Sequence, residues 1–94
     1  MNVLDHSKLH QKYFEEISMI PRASYKEEKI ADYLESFAKQ RGLKYIRDEI
    51  NNVIIYKPAS KGYEDHGAVI LQAHTDMVCE KNADCSHDFD KDPI

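Results

Sequence analysis

Six residues without a charge, Ala68-Val69-Ile70-Leu71-Gln72-Ala73, constrain the fold of this chain more than any other stretch. The run does not alternate apolar with polar, so it does not read as a strand with one wet face. It suits a central strand covered on both sides. Such a strand requires helices above and below its sheet, and that requirement sets how the remaining residues are read.

Two helices are expected upstream. Between Ser7 and Ile20, Leu9, Tyr13 and Ile17 recur every four residues, Phe14 and Ile20 widen the stripe, and Pro21 stops it. Ser24-Tyr25-Lys26-Glu27 has the form of a capping box, which predicts a second helix from Tyr25 to about Arg41. Ile30, Tyr33, Leu34, Phe37 and Ala38 fall on one face of it, and Gly42 stands where a left-handed residue is wanted after its last turn. Two short strands follow, Lys44–Arg47 and Val53–Lys57, joined by Asp48-Glu49-Ile50-Asn51-Asn52 as an antiparallel hairpin. The polar stretch Ala59–Gly67 reads as an exposed loop. Cys79–Ile94 has neither a helical nor a strand period and reads as an irregular extended loop.

The expected fold class is therefore α/β, with two helices followed by about three strands. Two helices cover only part of a strand that needs both faces covered. The chain is accordingly expected to be a piece of a larger α/β domain, the alternative being a small complete two-layer domain. At 94 residues it holds one small domain at most.

Composition excludes several functions. The net charge of −4 is spread along the chain with no basic stripe, so nothing electrostatic argues for nucleic acid. No apolar run approaches the length that spans a bilayer, so no membrane role is expected. The N-terminus lacks the basic and apolar pattern of a secretory signal. Cys79 and Cys85, the two cysteines, are expected to be reduced thiols, which suits a cytoplasmic protein.

The strongest candidate for chemistry is His74-Thr75-Asp76, directly after the buried run. Ligands of open α/β sheets bind beyond the carboxyl ends of strands. Residues i and i+2 of an extended segment point to one side. A neutral imidazole is a good zinc ligand, and a carboxylate beside it can fix its tautomer and orientation. His74 is thus the candidate metal ligand and Asp76 the candidate orienting residue. A second constellation, His74, Cys79, Cys85 and His87, would make a small non-enzymatic zinc module, although its spacings match none of the usual finger patterns. A metal-free interaction domain is the third reading. Asp84, Asp88, Asp90 and Asp92 lack the glycine and closing glutamate of a calcium loop and read as a solvated acidic surface.

These residues can be matched to a family. Ile20-Pro21-Arg22-Ala23-Ser24, Asn52-Val53-Ile54-Ile55, Lys57-Pro58-Ala59, Val69-Ile70-Leu71-Gln72-Ala73-His74-Thr75-Asp76-Met77-Val78, Lys81-Asn82 and His87-Asp88-Phe89-Asp90-Lys91-Asp92-Pro93-Ile94 together resemble the N-terminus of the cytosolic aminoacyl-histidine (non-specific) dipeptidases, within the co-catalytic zinc peptidases. Asn51 departs from the glycine usual there, and asparagine can take the same left-handed turn. The resemblance implies that residues 1–94 are the N-terminal segment of a mixed-sheet zinc-peptidase catalytic domain. The rest of that domain and a lid or dimerisation domain would lie on a missing C-terminal part of the same chain, with room for a homodimer. It implies two zinc ions in the complete active site, His74 as ligand to one of them, and Asp76 as the catalytic aspartate. It implies hydrolysis of dipeptides, Xaa-His or broader, with short peptides as substrate, by the complete enzyme and not by this chain alone.

Overall fold

The computed structural model describes residues 4–93. Met1–Val3, from the N-terminal stretch read above, and Ile94, which closes the Lys91–Ile94 run, lie outside them. The elements in order are α1 (Leu9–Ser18), α2 (Glu28–Gln40), β1 (Lys44–Arg47) and β2 (Val53–Tyr56). The chain divides into two compact units, one of Met1–Ile30 with Thr75–Ile94 and one of Ala31–His74, with the division falling inside α2.

In the first unit, α1 is introduced by Asp5, whose carboxylate accepts the Ser7 backbone N–H and hydroxyl at 3.0 and 2.6 Å. Those bonds hold the Asp5 carboxyl below its ordinary pKa, the hydroxyl contributing most. The stripe foreseen for α1 is covered unevenly. Tyr13 and Ile17 are half-buried, whereas Leu9 and Phe14 are 64% and 60% exposed. The end of α1 is secured from beyond Pro21. The Arg22 guanidinium, 8% exposed, donates to the carbonyl oxygens of Ile17 and Ile20. These acceptors sit at the negative end of the helix dipole, where a cation is favoured. Burial lowers the Arg22 pKa from the ordinary guanidinium value, and the group stays charged.

The capping box does not form. Helix α2 starts at Glu28, three residues later than the spacing of Ser24 and Glu27 suggests. Residues 23–26 instead make a turn closed by the Lys26 N–H on the Ala23 carbonyl at 2.8 Å, and the Glu27 carboxylate accepts the Tyr25 N–H at 2.9 Å. Tyr25 takes φ +68° and is 98% exposed. A side chain in the left-handed region costs about 1–2 kcal/mol. Tyr25→Gly relieves that cost and loses part of the gain to backbone entropy. It should stabilise the turn by about 0.5–1 kcal/mol, read as roughly a two- to five-fold rise in hydrogen-exchange protection of the Lys26 amide. Unchanged or lower protection would show that the turn is unstrained.

In the second unit, α2 and the hairpin follow the sequence closely. Ala31 and Ala38 are 1% and 0% exposed, and Tyr33, Leu34 and Phe37 beside them on α2 are half-buried. Gly42, at φ +64°, ends the helix as its position foretold. Its N–H reaches the Lys39 carbonyl at 3.1 Å and the Leu43 N–H reaches that of Ala38 at 2.9 Å, the paired bonds of a Schellman end. Strands β1 and β2 pair antiparallel, with Tyr45 opposite Ile55 and Arg47 opposite Val53. Those four side chains are half-buried on one face, while Ile46 and Ile54 point to the exposed face. The covered face is tied to α2 by polar contacts. The Tyr45 hydroxyl donates to Glu35 at 2.9 Å, and Arg47 reaches Asp32 at 2.6 Å and Glu35 at 3.1 Å. The Tyr45 hydroxyl first, and then Arg47, lower the Glu35 pKa. In the hairpin loop, Asn51 takes φ +69° and the Asp48 carboxylate accepts the N–H groups of Ile50 and Asn52.

The α/β character is thus present as two helices and a two-stranded antiparallel sheet. The third strand is not. Ala68–Ala73 joins no sheet among the described residues, and Val69, Ile70 and Leu71 are 83%, 89% and 93% exposed. A strand exists through its ladder partner. The hairpin of this unit does not pair with the run, so strong β-propensity alone leaves it bare. The loops at 59–67 and 78–93 are irregular, as expected.

Candidate active site

The first unit brings two distant segments together at one point. Ala23 and Met77 form a parallel bridge, and the Met77 N–H donates to the Arg22 carbonyl at 2.8 Å. That bond fixes the backbone beside Asp76 against the turn at residues 23–26. Next to it, the Ser24 hydroxyl donates to Asp76 Oδ2 at 2.5 Å. This is the length of a charge-assisted O–H···O⁻ bond. Both side chains are half-buried. Arg22 thus has two functions: its backbone carbonyl holds Met77, and its side chain holds the end of α1.

A cleft of about 480 Å³ lies along the segment after Asp76, bordered by Arg22, Ala23, Met77, Cys79, His87 and Phe89. The acidic loop beside it is held by contacts within itself and to the turn at residues 23–26. His87 meets Phe89 edge-on at 4.9 Å between ring centres, Lys81 Nζ donates to the His87 carbonyl, and Lys26 pairs with Asp90 at 3.2 Å.

Of the residues singled out in the sequence, Asp76 lies beside Ser24 in this unit, and His74 is an exposed residue at the end of the other. Cys79, Cys85 and His87 share the cleft wall without forming a metal cage. Among the described residues no three His, Cys, Asp or Glu side chains are gathered closely enough to hold an ion. Cys79 Sγ is directed to the Met77 carbonyl at 3.7 Å, and the His87 ring is taken up by Phe89. The small zinc module is therefore not assembled. An imidazole at position 74 and a carboxylate two residues on are donor types that suit zinc, and three or more protein ligands are normally needed.

No family model matches the chain. It is 49% identical over 81 residues to the cytosol non-specific dipeptidase of Escherichia coli (strain K12), a span that covers 86% of this chain and 17% of that protein. The crystal structure of aminoacylhistidine dipeptidase from Vibrio alginolyticus matches it with a TM-score of 0.84 at 45% identity, over 89% of this chain and 17% of that one. The chain is similar to one segment of these dipeptidases. It spans about a sixth of their length. The fold likeness at this identity covers nearly the whole chain. No described helix is long and apolar enough to cross a membrane.

Ser24 is the residue that pattern reading placed wrongly. Its spacing to Glu27 is that of a helix cap, and no sequence signal pointed instead to Asp76, 52 positions away.

Proposed function

We propose that this chain is the N-terminal part of the catalytic domain of a cytosolic zinc dipeptidase, with His74 as a zinc ligand and Asp76 as the aspartate that orients it. The observation that carries the reading is the 49% identity to a dipeptidase over 81 residues. Three features support it: the imidazole–carboxylate pair two residues apart, a carboxylate already held by a hydroxyl, and an adjoining cleft within the size range of small-ligand pockets. The bare run Ala68–Ala73 fits the same reading, as a strand whose neighbours belong to the remaining polypeptide.

In this mechanism His74 would hold the metal through a ring nitrogen, and Asp76 would orient the imidazole and hold its tautomer. Zinc, when bound, polarises the peptide carbonyl and the attacking water. The general base and the remaining ligands come from outside these residues, so the chain by itself is expected to be inactive.

The test is made on the complete protein with dipeptides carrying a free amino end. Hydrolysis should disappear on chelation and return when zinc is restored. Turnover that survives thorough chelation would dismiss the metallopeptidase reading.

A further inference from the structure

The Ser24 hydroxyl is directed away from the helix it was expected to cap and toward Asp76. The turn that carries it does not depend on that bond. Backbone groups close the turn, through Lys26 N–H on Ala23, and dock it, through Met77 N–H on Arg22. Nor does Ser24 start α2, which begins four residues later at Glu28. The hydroxyl is thus free of a scaffolding duty that would explain its placement. What it does do is occupy one lone pair of one carboxylate oxygen at 2.5 Å. A carboxylate fixed at one oxygen loses rotation about its Cβ–Cγ bond and presents the other oxygen in a set direction.

We infer that Ser24 is a positioning residue for Asp76, its hydroxyl fixing the carboxylate in the orientation the zinc-bearing site requires. The inference rests on the dipeptidase reading and adds a residue to it. Ser24 touches neither substrate nor metal in this role; it acts through Asp76. An alanine at 24 leaves the turn in place and removes the hydroxyl's bond to the carboxylate. A threonine keeps an oxygen at the same point.

The experiment uses the complete protein and compares Ser24→Ala, Ser24→Thr and Asp76→Ala with the parent. Loss of a partner that orients a ligand set typically costs ten- to a hundred-fold in metal affinity or activity. Ser24→Ala should therefore lower kcat by about 10–100-fold with KM changed less than about threefold, and should weaken zinc binding, measured by competition with a chromogenic chelator. Ser24→Thr should restore both to within about threefold of the parent. Adding Ser24→Ala to Asp76→Ala should cost nothing further in zinc binding, because the hydroxyl then has no carboxylate to hold. Hydrogen-exchange protection of the Met77 amide should be the same in Ser24→Ala and the parent. Parent-like kcat and zinc binding in Ser24→Ala would overturn the inference while leaving the dipeptidase reading intact. So would a loss that tracks falling Met77 protection, or one that persists undiminished in the Asp76→Ala background. A parent protein without zinc-dependent turnover overturns both.

Discussion

Replacing His74 by alanine in the complete protein should reduce dipeptide hydrolysis by at least about a thousandfold and remove about one zinc ion per chain. The size of the effect follows from ligand number. Catalytic zinc is normally held by three protein ligands with one position left open, so each ligand is a third of the protein's grip. Among the described residues His74 is exposed at the end of its unit, so its replacement removes no core packing from this segment. The loss should therefore appear in metal content and turnover with little change in thermal unfolding once zinc is absent from both proteins. Cysteine at 74 would offer a thiolate in place of the imidazole and should keep more metal than alanine does. A His74→Ala protein with full zinc content and activity within threefold of the parent would take residue 74 out of the site.

The second large effect concerns Arg22. Its guanidinium, nearly buried, spans the carbonyl oxygens of Ile17 and Ile20 at the end of α1. Arg22→Met fills much of the same space and offers neither a donor nor a charge. Hydrogen bonds from a charged donor contribute about 1.5–3 kcal/mol, and the two stranded acceptors lose a favourable cation at the helix terminus as well. Removing the burial cost of the guanidinium offsets part of this. A net loss of about 2 kcal/mol is expected, equivalent to roughly a thirtyfold fall in hydrogen-exchange protection along the last turn of α1. Because the Arg22 carbonyl also receives the Met77 N–H, protection at Met77 should fall in parallel. Arg22→Lys should recover only part, since an ammonium is a point charge and not a fork. Protection unchanged in Arg22→Met would mean that solvent satisfies those carbonyls equally well.

The second unit was legible wherever the deciding physics was local. The buried face of α2, its stop at Gly42 and the Asp48–Asn52 loop each depend on residues within a few positions of one another, and the sequence pattern sufficed. Reading failed at contacts set by distant residues. Ser24 satisfied a local rule and obeyed a distant carboxylate instead. Arg22 is a different case: its acceptors lie only five and two positions back, and its stretch still gave no sign that it would turn onto α1. The run at 68–73 was read as a buried central strand and is instead unpaired and exposed, because a strand needs a ladder partner and the hairpin does not supply one. At the candidate site, residue types could be picked out from the sequence and their support could not. His74 and Asp76 stood out by residue type and spacing, whereas the hydroxyl that holds Asp76 was invisible until the fold joined the two segments.

The first unit is discontinuous, its two stretches separated along the chain by all of the second. The Ser24–Asp76 link spans 52 positions. Closing a loop of that length costs about 1.5 kcal/mol more chain entropy than closing one of ten residues. The hairpin and α2 can therefore form early from near neighbours, whereas the Ser24 bond must wait for a late and entropically dear closure. Order of assembly is written into the chain: the part that would do chemistry is the last to become organised.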